Sequence, residues 1–245
     1  MILPPSIQQV LETFARHRIQ ALLMGGQACI VYGGAEFSRD IDFAILASPE
    51  NLAALQAAME ELQARVIAVP PFTIESLREG LAVHFRCGAQ GVEGLRIDVM
   101  SHLRGVAPFA ELWSRRHPLP GGGAVLALPD LINAKKTQRD KDWPMIRRLV
   151  EADFIRHPHP TPAQIEFWLQ ECRTPEILLE LSGSHAAQMA GHSRKVVQSA
   201  MNGASPSTLA ELLHEEEMVE RRADVAWWAP RKKQLEALRR NPGTA

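Results

Sequence analysis

Two short segments, LMGGQA at residues 23–28 and FSRDIDF at residues 37–43, decide the fold of this chain. In the first, an apolar run from Ala21 to Met24 ends at paired glycines, a pattern typical of a buried strand followed by a tight turn. In the second, polar and apolar residues alternate, which predicts a strand over residues 40–46 with two different faces. We therefore expect a small sheet with a glycine turn at the end of one strand.

The alternation in the second segment brings two carboxylates to one face of the predicted strand. Asp40 and Asp42 share a face, while Ile41 between them points to the opposite side. Two like charges this close raise each other's pKa unless a cation lies between them. Mg²⁺ in proteins is commonly held by one or two carboxylates together with substrate phosphates. Because an Asp-x-Asp pair alone is a common surface pattern, the metal-site interpretation depends on its neighbours.

A second predicted strand, at residues 95–100, contributes a third candidate ligand. Asp98 lies between Ile97 and Val99 and faces the opposite side from both. If this strand neighbours the first, three carboxylates meet on one sheet face, and three carboxylates can hold two metal ions. One ion would activate an attacking hydroxyl, with Asp98 beside it, and the other would bind a triphosphate and stabilise its leaving group.

Taken together, these features resemble the signature of the DNA polymerase β-like nucleotidyltransferases. That signature is a Gly-Gly or Gly-Ser turn, then an Asp-x-Asp pair between apolar residues, and later an acidic residue on a strand. The resemblance covers roughly residues 20–155. It implies transfer of a nucleoside monophosphate from an NTP, with Mg²⁺ or Mn²⁺ as the cofactor. The implied ligands are Gly25 and Gly26 for the nucleotide phosphates, and Asp40, Asp42 and Asp98 for the metal.

The resemblance also concerns the residues next to the aspartates. Ser38 and Arg39 lie where members often carry a hydroxyl and a basic residue, so both are candidate nucleotide-binding residues. For Arg39, a salt bridge within the acidic cluster is an equally weighted alternative. Many members have a serine after the first glycine, and Gly26 at that position removes one hydroxyl ligand for phosphate.

A later segment, LPDLINAKKTQRDKD at residues 128–142, is similar to part of the AbiEii-like branch, which includes toxins of type IV toxin–antitoxin systems. This implies that Lys135 or Lys136 reaches the triphosphate as a point charge, and it makes an antitoxin a candidate partner. The alternative is two solvated helix lysines. Asp142 matches a late acidic residue of the branch, but its place before Pro144 favours a helix cap.

Composition and charge narrow the class of protein. With 27 Lys+Arg against 28 Asp+Glu, the net charge of −1 argues against wholesale nucleic-acid coating but not against a local basic patch. Three widely separated cysteines indicate neither a disulfide framework nor a zinc site. We expect a cytoplasmic protein without a membrane segment, since the start lacks a signal-peptide pattern and no apolar run approaches roughly 20 residues.

The pattern changes after Pro129 from mixed to helical. We predict an α/β (α+β) fold, with a small mixed β-sheet nucleotidyltransferase core flanked by helices and followed by a helical C-terminal domain. The preferred domains are residues 1–157 and 158–245, and an earlier boundary near residue 129 stays open. The late helices are predicted at about 162–172, 174–182, 184–201 and 207–238.

Two histidines lie near the predicted site. His84 is on a predicted strand at about residues 82–86, and His102 closely follows Asp98. A structural or surface role is the more common one for such a histidine, and we interpret both in that way.

The sequence does not determine which molecule accepts the nucleoside monophosphate. A tRNA end, a protein hydroxyl and a small molecule such as an antibiotic are all compatible with it. The toxin branch favours RNA or protein, whereas the aminoglycoside- and lincosamide-modifying branch, which also carries Gly-Gly and Asp-x-Asp, favours a small molecule. A non-catalytic nucleotide-binding or interaction protein would be favoured if Asp98 faced away from Asp40 and Asp42. An unrelated α/β fold would hold Gly25 far from Asp42.

Overall fold

The computed structural model describes residues 3–240. Within this range the strands are β1 (Ala21–Met24), β2 (Asp40–Ile45), β3 (Arg65–Val66), β4 (Val83–Arg86), β5 (Arg96–Met100), β6 (His117–Pro118) and β7 (Ala124–Val125). The helices are α1 (Pro5–Arg16), α2 (Gly25–Tyr32), α3 (Pro49–Glu61), α4 (Ile74–Arg78), α5 (Phe109–Ser114), α6 (Leu128–Lys135), α7 (Asp142–Arg156), α8 (Pro162–Glu171), α9 (Pro175–Ser184), α10 (Ala186–Met189), α11 (Lys195–Met201) and α12 (Pro206–Arg240).

The strands form one mixed sheet in the order β3-β4-β5-β2-β1-β7-β6. Strand β2 is parallel to β5 and antiparallel to β1, while β1 is parallel to β7. The α/β fold with a small mixed sheet and a long C-terminal helix is therefore confirmed.

One face of the sheet is the core side. Ile41 and Phe43 of β2 are at most 1% exposed, because the alternation of the strand points them away from the two aspartates. Helix α1 packs on this side through Phe14, whose ring centroid lies 4.7 Å from that of Phe43. The opposite face is left to carry the polar residues of β2 and its neighbours.

Local signals set the start of α3. Ser48 is its N-cap residue and accepts a hydrogen bond from the backbone N–H of Asn51 at 3.2 Å, with Pro49 opening the helix. A serine followed by a proline is the sequence pattern that predicts such a cap, and the prediction is confirmed. Strand β2 therefore begins with the aspartates and is followed, after three intervening residues, by a helix with a capped N-terminus.

The chain divides into two compact units. The first comprises the chain up to Val31, then Ala35–Ala134, and the residues from Ala226 onward. The second comprises Tyr32–Gly34 and Lys135–Val225, and its core includes Trp168, Leu169, Leu178, Leu181, Val196 and Val197. The domains predicted from the sequence, residues 1–157 and 158–245, are meant as parts that fold independently, which is a different property from compactness. They stay a prediction.

Two predicted elements differ from the structure. The apolar run after the Gly121–Gly123 turn predicts a strand over residues 124–128, but that strand ends at Val125, because Leu128 already begins α6. The helix expected over 184–201 is interrupted between α10 and α11, where Gly191 has a φ of +80° that a helix does not allow. No helix within residues 3–240 is long and apolar enough to cross a membrane.

Candidate functional site

The predicted carboxylates lie together on the polar face of the sheet. In the parallel ladder between β2 and β5, Asp42 is the direct partner of Asp98, and Asp40 is the partner of Arg96. Directly paired residues of adjacent strands project from the same face, so all four side chains share it. Asp98 is 8% exposed, whereas both residues of β2 are half-buried. The interpretation that required Asp98 to face away from Asp40 and Asp42 is therefore not supported.

The glycine turn packs directly against these carboxylates. Gly25 opens α2 with a φ of +66°, and a Cβ atom added there would overlap the carboxylate of Asp42. A Cβ atom on Gly26 would likewise overlap the hydroxyl of Ser38. Only glycine allows this approach at both positions. The hypothesis of an unrelated fold, in which the turn and Asp42 lie far apart, is thereby excluded.

Hydrogen bonds hold the segment before β2 in place. Gln27, which is 1% exposed, donates from Nε2 to the carbonyl of Ser38 at 3.2 Å. The hydroxyl of Ser38 lies 3.1 Å from Oδ1 of Asp40 and donates to it. Arg39 is exposed and makes no ion pair within residues 3–240, so its alternative role, a salt bridge in the acidic cluster, is not formed. Ser38 thus positions Asp40, and Arg39 is left facing solvent.

Asp98 is held by two basic side chains that the sequence did not identify as site residues. Arg96 donates from Nε to Oδ1 at 2.8 Å and from Nη2 to Oδ2. Nδ1 of His84 lies 2.8 Å from Oδ1 in an ion-pair contact. Burial alone would raise the pKa of Asp98, but these interactions with Arg96 and His84 outweigh it and hold the pKa below its ordinary value.

Arg96 interacts electrostatically with all three carboxylates. Its hydrogen bond with Asp98 raises the pKa of the guanidinium, and the attraction of Asp98, Asp40 and Asp42 adds to this. Strand alternation alone places Arg96 and His84 on the polar faces of their strands. Arg96 lies two residues before Asp98 on β5, so the same alternation gives these two residues a common face. The contact of His84 with Asp98 depends on the pairing of β4 with β5, where the two are direct partners. The structural role predicted for His84 is thus incomplete, because its ring contacts a candidate site residue.

The donor set fits a Mg²⁺ ion held by two carboxylates. Asp40 and Asp42 supply oxygen atoms on one face, beside a glycine turn where any side chain would fill the space. Mg²⁺ commonly takes one or two carboxylates and completes its coordination with water and substrate phosphates. The third carboxylate, Asp98, is engaged by Arg96 and His84. Within the described part of the chain, no three acidic, histidine or cysteine side chains are arranged to hold a metal ion.

In the second unit, Lys135 is a buried residue rather than a solvated one. Its side chain is 8% exposed, and Nζ lies 3.2 Å from Oδ1 of Asp142. Asp142 is fully buried and also accepts hydrogen bonds from Thr137 at 2.6 Å and Arg139 at 2.8 Å. Burial would raise the pKa of Asp142, but the attraction of Lys135 and the bond from Thr137 outweigh it and lower the pKa.

Two predictions for this region are corrected. Asp142 does not cap α7: it is the first residue of that helix, and its carboxylate joins a buried ionic cluster. The cap position belongs to Lys141, which makes no side-chain capping bond. Lys136 is not a solvated lysine either, since its Nζ lies 2.8 Å from Oε1 of Glu171. A contact of Lys135 with a triphosphate stays a prediction.

The second unit also contains a cleft of about 770 Å³. Its charged lining residues are largely paired with one another. Arg194 donates to Glu216 and to the carbonyls of Leu169 and Cys172, and Lys136 pairs with Glu171. The cleft therefore presents mixed charge, without an excess of either sign to select a ligand.

No protein-family model matches the chain, and no curated protein sequence matches it. Two solved structures align over most of its length. One is the crystal structure of ANT(2")-Ia in complex with adenylyl-2"-tobramycin, with 13% identity, 85% of this chain and 93% of that chain covered, and a TM-score of 0.36. The other is the solution structure of the antibiotic-resistance factor ANT(2'')-Ia, with 16% identity, coverage of 87% and 96%, and a TM-score of 0.36. Similarity at this level assigns neither a family nor a substrate.

Proposed function

We propose that this protein is a metal-dependent nucleotidyltransferase that moves a nucleoside monophosphate from an NTP to an acceptor hydroxyl. One observation carries the proposal: Asp40, Asp42 and Asp98 share a sheet face, and the Gly25 turn packs against Asp42. Backbone N–H groups at a glycine turn that opens a helix can approach phosphate oxygens closely. Adjacent carboxylates supply the oxygen ligands of a hard cation. A triphosphate and its metal ion need both features side by side.

The residues have distinct roles in this proposal. Asp40 and Asp42 would hold Mg²⁺ or Mn²⁺, and Ser38 keeps the carboxylate of Asp40 in position. A divalent cation bound there neutralises triphosphate charge and stabilises the leaving pyrophosphate. Asp98 stays ionised at neutral pH, because Arg96 and His84 lower its pKa, and it accepts the proton of the acceptor hydroxyl in a hydrogen bond.

The reaction is an in-line displacement at the α-phosphate. The acceptor oxygen forms a bond to the α-phosphorus while the bond from that phosphorus to the bridging oxygen breaks. Pyrophosphate leaves, and the hydroxyl proton passes by way of Asp98 to solvent. As in phosphoryl transfer generally, the contribution of the protein is positioning and electrostatic stabilisation.

The nucleotide-binding residues of the proposal are Gly25 and Gly26 at the turn, with Arg39 free to reach a phosphate. The similarity of residues 128–142 to the AbiEii-like branch supports a toxin-like role with an antitoxin partner, and it adds Lys135 as a triphosphate contact. Because Lys135 is paired with Asp142, that contact requires the lysine to exchange its partner.

The proposed function is tested by measuring the transfer of label from α-labelled NTPs to an acceptor. Purified protein with Mg²⁺ is incubated with each NTP in turn and with cellular RNA, protein or a small-molecule fraction as the acceptor. We expect label in one fraction, with equimolar pyrophosphate release, and loss of both in Asp42→Asn. Asp140→Asn is the matched control, because Asp140 is exposed and lies outside the proposed site.

The opposite outcome is also informative. If Mg²⁺–NTP does not bind and no pyrophosphate is released with any acceptor, the proposal is wrong. The protein would then be a non-catalytic interaction protein that retains this fold, whereas NTP binding without transfer would favour a non-catalytic nucleotide-binding protein. Equal label transfer by wild type and Asp42→Asn would contradict the role given to Asp42.

A further inference from the structure

Three arginines form a row across neighbouring strands on the same face as the carboxylates. Arg65 of β3 is the direct partner of Arg86 of β4, which in turn is the direct partner of Arg96 of β5. Arg96 is the partner of Asp40 on β2. Direct partners project from one face with Cβ atoms about 5 Å apart. The arginine row, Arg65–Arg86–Arg96, therefore runs from the edge strand of the sheet to the carboxylates.

The outer two arginines of the row have no acidic partner. Arg65 and Arg86 are exposed, and within residues 3–240 neither makes an ion pair or a side-chain hydrogen bond. Like charges directly opposite each other on a sheet are destabilising. The adjacent pair Arg65 and Arg86 is therefore unfavourable for the fold by itself and becomes favourable when an anion lies across it. The planar guanidinium fork matches phosphate, which it can bind through two parallel hydrogen bonds.

The position of the row indicates which substrate it meets. Strand β2, with Asp40 and Asp42, lies between β5 and β1. The arginine row approaches the carboxylates from the β5 side, whereas the glycine turn follows β1 on the other side. In the proposed function the nucleotide phosphates bind at the glycine turn. Because the displacement is in line, the acceptor enters from the side opposite the leaving pyrophosphate, which is the side of the row.

An exposed aromatic side chain lies at the same end of the sheet. Phe37 is 72% exposed and directly precedes Ser38, whose hydroxyl binds Asp40. Parallel strands β2 and β5 begin at this end, with Asp40 opposite Arg96. A basic groove with exposed aromatic rings is the usual surface for single-stranded nucleic acids, since bases stack on the rings while the cations follow the backbone.

We infer that Arg65 and Arg86, the outer arginines of the row, bind backbone phosphates of a single-stranded nucleic-acid acceptor, whose terminal hydroxyl enters the carboxylate cluster beside Arg96. This inference rests on the proposed function and assigns its acceptor class. The row spans two strand spacings, about 10 Å, and so leads from the edge strand to the carboxylates. A polycationic small molecule, such as an aminoglycoside, is repelled by the same charges. The net charge of the chain, −1, restricts the basic surface to a local patch.

The experiment measures binding of short labelled single-stranded RNA and DNA by fluorescence anisotropy, without NTP, at about 50 and 200 mM salt. We expect Arg65→Gln/Arg86→Gln to weaken binding about tenfold or more. The slope of log affinity against log salt should fall by about 1.4, since each phosphate contact on a single strand contributes about 0.7. Whichever of RNA and DNA binds more tightly shows whether the site prefers ribose or deoxyribose. Thermal unfolding should show no loss of stability in the double variant, because the substitution removes repulsion.

Arg18→Gln is the matched control. Arg18 is exposed and precedes β1 at the end where Ala21 pairs with Ile45, which is the far end of that strand from Asp42. The inference is wrong if the double variant binds as tightly as wild type, or if Arg18→Gln weakens binding equally.

A transfer assay separates this inference from the proposed function. If the oligonucleotide binds through the row but receives no labelled nucleotide in any condition, the proposed function fails and the binding site stands. If a polycationic acceptor is labelled equally well by wild type and the double variant, and the oligonucleotide is not, the inference fails and the proposed function stands.

Discussion

Asp98 in the first unit and Asp142 in the second are two nearly buried aspartates held by cations. Asp98 binds Arg96 and His84, whose side chains remain 43% and 29% exposed. Asp142 binds Lys135, with 8% exposure, together with Thr137 and the exposed Arg139. In both cases basic partners lower the pKa of the carboxylate against the opposing effect of burial.

The difference between them lies in the partners rather than in the carboxylates. The partners of Asp98 reach solvent, so they can be rehydrated when the carboxylate changes its contacts. The main partner of Asp142, Lys135, is buried with it and reaches solvent or a new partner only if the pair first opens. An ion pair that can exchange partners suits a reacting site, whereas one sealed from water fixes a structure. The predictions below test this comparison with matched substitutions.

The largest expected effect is on stability, from Asp142→Asn. This substitution keeps the shape but leaves the buried Lys135 ammonium without its counter-charge, and breaking a buried pair in this way costs about 3–5 kcal/mol. Urea unfolding of the full chain measures the change. Asp140→Asn, at an exposed position, should leave the midpoint unchanged. A midpoint for Asp142→Asn equal to that of wild type would show that the cluster contributes no stability.

The same substitution at Asp98 should act on activity instead. We expect Asp98→Asn to lower transfer by about 10²–10³-fold, the scale of losing one preorganised charge-stabilising group. Stability should change by less than about 1 kcal/mol, because Arg96 and His84 can be solvated. Rates of pyrophosphate release and urea unfolding are compared on one preparation. An unfolded Asp98→Asn, with Asp142→Asn stable, would reverse the comparison.

A smaller effect is expected from Gly25→Ala. The φ of +66° costs a side chain about 1 kcal/mol, and the added methyl group displaces the Asp42 carboxylate. Gly94→Ala provides the control, since Gly94 has a φ of +76° with open space around its Cβ position. Both variants should lose similar backbone stability, and only Gly25→Ala should also lose Mg²⁺–NTP binding. Equal binding by the two variants would remove the contact with Asp42 from the proposed site.

The smallest effect is on the pH dependence of stability. The pKa of Asp142 is lower in the folded protein than the ordinary value of about 3.9, so the folded state binds fewer protons than the unfolded state. Its stabilisation is complete above that value and is lost as pH falls through the folded pKa. The stability difference between wild type and Asp142→Asn should therefore narrow on acidification, as urea midpoints at pH 7 and about pH 3 would show. If the stability difference widened on acidification, the pKa of Asp142 would be raised in the folded protein and not lowered.

Local patterns predicted the parts of the site that lie on one strand or one turn. Alternation gave Asp40 and Asp42 a common face, and the side chains flanking them are buried as expected. The paired glycines marked a turn that needs a positive φ and a close approach, and Gly25 has both. Ser48 before Pro49 predicted a helix cap that is present. Each depends on neighbours in sequence, where steric rules are strong.

Contacts between strands could not be predicted in the same way. His84 and Asp42 meet Asp98 only through the register of β4, β5 and β2, and a shift of one residue would turn each to the other face. Arg96 is different, because it lies two residues before Asp98 on the same strand and shares its face by alternation. Asp142 was interpreted as a cap because its position beside Pro144 is typical of one. Burial instead drew its carboxylate to Lys135, since a buried charge needs a partner more than a helix end needs a cap.

The sequence by itself determined the polar and apolar faces of the strands, the glycine turn and the candidate carboxylates, because steric rules and side-chain alternation act between near neighbours in the chain. The tertiary structure alone decided that Asp98 stands beside Asp42, that His84 contacts Asp98, and that three arginines line up toward Asp40. These contacts join residues far apart in sequence. They arise because the fold must bury the apolar face of every strand at once, which leaves a single register in which the polar residues meet.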